Sequence, residues 1–235
     1  MVKMTISADL ALQCAEAVLA APVDVTVSYR MQVDHGFAQP LEIVAGGFDR
    51  CPVIPIFVNS VAEPMPGFKR ARLHGEAVGC FCRTLNRRVI FMGSGGLSYN
   101  PPVPTIRGAT PEVAERLIAG RNPSAESLAA RKERTIEAAR RFAAGTSNLH
   151  LLNAQWDRRF LAAMVSRDLA ALDRVGNASV TRDAGAAAHE VKTWVAANAA
   201  MAAATAGHYQ VRSEHYVEIL EWIAGFATLE GFETT

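Results

Sequence analysis

Residues 28–40 read Ser-Tyr-Arg-Met-Gln-Val-Asp-His-Gly-Phe-Ala-Gln-Pro, and the Asp34-His35 pair within them is the best-equipped place in the chain for proton transfer. Histidine titrates near neutrality, and a turn leaving a short apolar strand can present it to a bound molecule with the strand as rigid support. A second stretch, residues 88–104, runs Arg-Val-Ile-Phe-Met-Gly-Ser-Gly-Gly-Leu-Ser-Tyr-Asn-Pro-Pro-Val-Pro. Gly93, Gly95 and Gly96 allow positive φ and close approach of backbone amides to an anionic oxygen, and Ser98 and Tyr99 follow directly. Tyrosine is neutral at pH 7 because its free phenol ionises near pH ~10, so Tyr99 can orient a hydroxyl or give up a proton but is no ready base. Arg30, just ahead of the Asp-His pair, carries a planar guanidinium that suits a carboxylate bidentately.

These residues need a scaffold, and the first half of the chain alternates short β-branched runs with amphipathic segments, the pattern of a parallel sheet with crossover helices. Residues 9–19 read as a helix, 23–29 as a strand, 52–58 as a second strand, 67–85 as a helix and 88–92 as a third strand. Open α/β sheets bind ligands beyond the carboxyl ends of their strands, and both His35 and the glycine loop leave such ends. From about Thr110 the pattern turns helical: 110–118 with Pro111 in the first turn, 124–143 rich in alternating charge, 153–165, and an alanine-rich segment over 186–206. The expected fold is therefore α/β, a mainly parallel sheet with flanking helices and a helical C-terminal half. It is one domain over 1–235, with an α/β part at 1–105 and a mainly helical part at 106–235.

Two further segments complete a pattern: His189-Glu190-Val-Lys-Thr-Trp194-Val-Ala-Ala and Glu221-Trp222-Ile-Ala-Gly-Phe226. Together with residues 28–40 and 88–104, and in the same order, they resemble the class III extradiol catechol dioxygenases, the LigB-like family, in its 2,3-dihydroxyphenylpropionate 1,2-dioxygenase branch. The likeness runs from about Ala8 to Phe226. It implies an oxidoreductase of aromatic catabolism that uses non-heme Fe(II) in a 2-His-1-carboxylate triad, with Glu190 as the carboxylate ligand. It also implies that His35, with Asp34, is the acid and that Gly95, Gly96 and Ser98 meet the substrate, while Arg30 and Tyr99, which differ from the relatives, suit a substrate carboxylate and a hydroxyl by their own chemistry. Two departures accompany it. The family's two histidine ligands belong to an N-terminal segment expected to precede Met1, and the family's base histidine is replaced by Tyr99.

Taken without the resemblance, Glu190 is a solvated glutamate or a partner for Lys192, and His189 cannot join it on one ion because consecutive helical positions point about 100 degrees apart. Three functions fit these residues. The first is ring cleavage of a dihydroxyphenylpropionate-type acid with an incomplete iron site. The second is a metal-independent decarboxylase, tautomerase or C-C hydrolase using His35 and Tyr99. The third is a non-catalytic subunit or pseudoenzyme.

Composition narrows the partners. The 24 basic and 23 acidic side chains of the 235 residues leave a formal net charge of +1 and no single-sign field for nucleic acid or an anionic membrane. The start is too polar for a signal peptide and no stretch suits a membrane span, so a cytoplasmic location is expected. The four cysteines Cys14, Cys51, Cys80 and Cys82 lack zinc or redox spacing and read as reduced, mostly buried residues. Three strands make a thin sheet whose apolar edges call for cover, which predicts a homo-oligomer or a partner chain.

Overall fold

Two glycines four residues apart, Gly75 and Gly79, let the longest helix of the first half lie directly on a helix of the second. The structure, a computed structural model, describes residues 4–119 and 123–234. Its helices are α1 (Ala8–Leu19), α2 (His35–Ala45), α3 (Phe68–Arg83), α4 (Pro111–Ala119), α5 (Ala125–Ala143), α6 (Ala154–Val165), α7 (Asn177–Ala184) and α8 (Lys192–Ala204). Strands β1 (Tyr209–Ile219) and β2 (Ala224–Glu233) close the chain as an antiparallel hairpin.

A Cβ built on Gly75 would stand 2.1 Å from the carbonyl oxygen of Ala196, and one on Gly79 would stand 2.1 Å from that of Ala200. Small residues on both faces thus bring the α3 and α8 backbones together, and Phe68, Ala71, Ala77 and Val78 are buried along α3. Arg72 adds a bidentate pair to Asp173, at 2.8 and 2.6 Å, which ties α3 to the 3-10 turn Leu169–Arg174. The main core lies on the far side of this contact, where Trp156, Phe160 and Met164 of α6 meet Leu97, Val191 and Val195. A second cluster joins Cys14 and Val18 of α1 to Ala77 and Val78 of α3, and a third joins Ala138, Ala139 and Phe142 of α5 to Ile223.

The mixed α/β class stands, and α1, α3, α4, α5 and α6 fall where the residue pattern places them. The three expected strands behave differently. Residues 23–28, 52–58 and 88–96 form no helix or ladder strand, and among the described residues their one β-pairing in parallel sense is the bridge between Ile6 and Val53. Their apolar residues secure inward packing, since Val25, Ile54, Ile56 and Phe91 lie on the α1–α3 cluster. A ladder further needs a neighbouring strand about 4.8 Å away, which a single segment's pattern does not supply.

Two corrections concern the rest of the chain. The segment opening with Asp34-His35 is the start of α2, not a loop: Pro40 lies inside that helix, and Gly46 ends it at φ 74°. The second half is helical only to Ala204, after which Trp222 and Phe226 flank the hairpin turn, 60% and 42% exposed and edge to face at 5.9 Å, rather than sitting in the core. Of the cysteines, Cys14 is buried while Cys51 and Cys80 are exposed, and all four are free thiols. No helix of the described residues is long and apolar enough to cross a membrane.

Candidate active site

The glycine loop is held from three sides. Leu97 N–H donates to Gly225 O at 3.2 Å and Gly225 N–H donates to Ser98 O at 2.8 Å, which fastens the loop to β2. Tyr99 N–H donates to Ala184 O at 2.9 Å, and Ala187 N–H donates back to Tyr99 O at 3.1 Å. Thr193 Oγ1 donates to Ser94 O at 2.7 Å and Trp194 Nε1 to Gly95 O at 3.2 Å, so the start of α8 lies along the loop. Gly95 is required by that approach, because a Cβ there would stand 2.5 Å from the Cβ of Glu190. None of Gly93, Gly95 and Gly96 has positive φ, so the loop uses the small size of glycine and not its left-handed backbone.

Glu190 sits in the 3-10 turn Ala188–Val191 that leads into α8, and its Oε2 accepts from Gly96 N–H at 3.2 Å. Burial raises its carboxyl pKa above the usual range; the Gly96 amide and the charge of His35 work against this, and Asp34 reinforces it. Glu190 is thus neither freely solvated nor paired with Lys192. Asp34 and His35 are near enough for their charges to act on it, without touching it. Asp34 caps α2, its Oδ1 accepting from Gly36 N–H at 2.9 Å, which leaves His35 as the first helical residue at an exposed helix end.

Tyr99 completes the group. Burial raises its phenol pKa first and the charge of Glu190 adds to the rise, while the guanidinium of Arg131 opposes both. Tyr99 is therefore neutral at pH 7 and available as a donor. The structure brings together His35, Asp34, Glu190, Gly95, Gly96 and Tyr99. It does not bring Arg30 in by any hydrogen bond or ion pair, and Arg30 is exposed. Ser98 is fully buried with its hydroxyl turned inward, so it supports the loop from behind instead of offering a donor to a ligand.

What Ser98 meets was not legible as a site residue. Asp157 of α6 is fully buried and accepts from Ser98 N–H at 2.7 Å, from Ser98 Oγ at 2.7 Å and from Tyr216 OH at 2.9 Å. A signal existed: Asp157 precedes Leu161 and Met164 by four and seven residues, so it is a carboxylate on an apolar helix stripe. His189 is also engaged inward, with Nε2 2.8 Å from Thr181 Oγ1 and Nδ1 3.1 Å from the buried Lys192 Nζ. Burial, then the Lys192 charge, lowers the His189 pKa to about 4, so it is neutral and has no free ring nitrogen for a metal.

The remaining histidines lie apart from Glu190: His74 on α3, His150 bonded to the carbonyls of Leu151 and Arg182, and His208 and His215 at and in β1. Among the described residues no three His, Cys, Asp or Glu side chains form a group able to hold a metal ion. The donors present therefore do not by themselves fit the triad that Fe(II) requires.

Known proteins resemble the chain over nearly its whole length. The chain is 55% identical over 227 residues to the 2,3-dihydroxyphenylpropionate/2,3-dihydroxicinnamic acid 1,2-dioxygenase of Cupriavidus pinatubonensis, covering 97% of this chain and 72% of that protein. It is 56% identical over 221 residues to the protein of the same name from Paraburkholderia xenovorans, covering 94% and 69%, and 48% identical over 227 residues to that of Klebsiella pneumoniae, covering 96% and 72%. With residues 1–227 matched as well to the family described as the catalytic LigB subunit of aromatic ring-opening dioxygenase, the chain belongs to that family.

Proposed function

We propose that this protein takes part in extradiol ring opening of a catechol bearing a carboxylate side chain, of the dihydroxyphenylpropionate type. The observation that carries the reading is the meeting of Glu190, the glycine loop and Asp34-His35 at one place, in a chain whose relatives bear that activity in their names. His35 gives a proton to the opening ring, Asp34 sets its position as the helix cap, and Tyr99 orients a catechol hydroxyl. Gly95 and Gly96 shape the floor against which the ring lies, and Ser98 holds that floor in place. Fe(II) belongs to the same proposal, with Glu190 as this chain's ligand to it, and no step is drawn through the metal.

The test is oxygen uptake and ring-opened product from 3-(2,3-dihydroxyphenyl)propionate after anaerobic loading with Fe(II), with iron stoichiometry measured alongside. With the two further ligands supplied from outside the described residues, we expect turnover and bound iron in the natural protein, and a loss of both of at least about a hundredfold in Glu190→Ala, as for removal of a carboxylate from a facial triad. Turnover that survives the Glu190 substitution would overturn the reading. Consumption of the acid without oxygen would point instead to metal-independent acid/base chemistry at His35 and Tyr99.

A mainly parallel sheet, a single domain over 1–235 and a cytoplasmic location belong to the same proposal, supported by the parallel Ile6–Val53 bridge, the contact of α3 with α8 across the two halves and the unpaired thiols. So does self-association. Tyr29, Phe57 and Ile90 in the expected strands are 85%, 68% and 75% exposed, and Ile43 on α2 is 82% exposed, large apolar side chains that association would cover. Sedimentation at micromolar concentration is expected to give a multiple of 25.3 kDa, and a monomer there would refute the oligomer.

A further inference from the structure

We infer that the buried Lys192 is a positioning residue, which through His189 and Thr181 fixes the turn that presents Glu190, a role resting on the reading just given. Lys192 opens α8 with its side chain fully closed to water. Among the described residues Nζ meets no carboxylate: its neighbours are His189 Nδ1 at 3.1 Å and the face of the Phe68 ring, whose centroid is 5.6 Å away. Three penalties fall on such a residue. An ammonium leaves water for the interior, it lacks an opposite charge, and the first turn of a helix disfavours a cation. The Phe68 ring and one imidazole nitrogen offset only part of this. A methionine would fill similar space with none of these penalties, so stability does not account for a lysine here.

Lys192 does orient the imidazole beside it. An ammonium has donors alone, so His189 Nδ1 accepts and Nε2 carries the proton that reaches Thr181 Oγ1 on α7, 2.8 Å away. The ring thus joins the head of α8 to α7, and a turned ring would break both contacts at once. Glu190 is the next residue, in a four-residue 3-10 turn too short to absorb a shift of its neighbour. Its N–H donates to Ala187 O at 3.1 Å, its Oε2 accepts from Gly96 N–H at 3.2 Å, and its Cβ lies where a Cβ on Gly95 would come within 2.5 Å. With clearance that small, a displaced His189 carries Glu190 off the glycine loop.

Spectra of protein labelled with 15N at glycine test this without metal or substrate. The Gly96 amide is assigned by its absence from Gly96→Ala, and Glu190→Ala gives its position once the carboxylate is gone. Lys192→Met should keep or raise the thermal midpoint while moving the Gly96 cross-peak toward that position, and should lower turnover of the iron-loaded protein at least about tenfold. Thr181→Val, at the exposed far end of the same contacts, should move the cross-peak less and in the same direction, and it decides the matter should Lys192→Met not fold. A Gly96 cross-peak that stays in place in a folded Lys192→Met protein, or in Thr181→Val where the first does not fold, would overturn the inference alone. A cross-peak that moves in a protein whose natural form opens no catechol would overturn the functional reading and keep the placement of Glu190 by Lys192.

Discussion

Asp157→Ala should cost about 3–5 kcal/mol of stability, which for a chain of this size lowers the thermal midpoint by roughly 10 °C or more. The carboxylate accepts three hydrogen bonds in a site closed to water, and its removal leaves Ser98 N–H, Ser98 Oγ and Tyr216 OH without that acceptor. Ser98 Oγ has a second tie, accepting from Asn153 N–H at 3.0 Å, so the loss spreads to the cap of α6. Gly225 lies directly against the carboxylate, since a Cβ built there would stand 2.2 Å from Asp157 Oδ2.

Burial raises the Asp157 pKa above the usual carboxylate range, and the Ser98 and Tyr216 bonds partly restore the ionised form. Asp157→Asn avoids the charge in the interior, keeps one acceptor and should cost about 1–2 kcal/mol, because the two hydroxyls can turn toward the new amide. Urea unfolding of both variants distinguishes the cases. A loss below about 1 kcal/mol for Asp157→Ala would mean that water replaces the carboxylate and that the loop does not depend on it.

Gly79→Ala should be at least as severe, on the order of 3 kcal/mol or an insoluble product, because the added methyl meets backbone rather than a side chain. Its nearest neighbours would be Ala200 O at 2.1 Å and the Ala203 Cβ at 2.8 Å. Helices α3 and α8 would have to separate, which opens the contact on which Phe68, Val191 and Val195 depend. Ala203→Gly in the same chain should not rescue the variant, since it leaves the carbonyl in place. Gly67→Ala is the matched comparison: Gly67 caps α3 with ordinary φ and has nothing within 4 Å of its Cβ position, so it should change stability by less than about 1 kcal/mol. A soluble, fully stable Gly79→Ala protein would show that the two helices can shift without loss.

The helices legible in the residue pattern were those whose apolar positions recur at three and four, such as Cys14 and Val18 in α1, and those opened by a recognisable cap, such as Ser124 before α5 and Asn153 before α6. The motifs also marked Glu190, the glycine loop and His35 as chemistry. Helix α2 escaped because Gly36 and Pro40 both argue against a helix, and the Asp34 cap with tertiary packing outweighed them. The hairpin escaped because β2 buries only Gly225 and Ala227, which gives a weak alternation of small residues in place of large apolar ones.

What the sequence determined by itself was local: helix periodicity, apolar runs, and side chains able to exchange a proton or bind a cation. Burial, pairing and convergence were decided by the tertiary structure, because each depends on residues far apart in the chain. It turned Ser98 inward onto Asp157, 59 positions away, and set Glu190 under Gly96, 94 positions away. Sequence spacing orders neighbours only within a few turns of one element, and the candidate site draws on three separate segments, 34–35, 95–99 and Glu190.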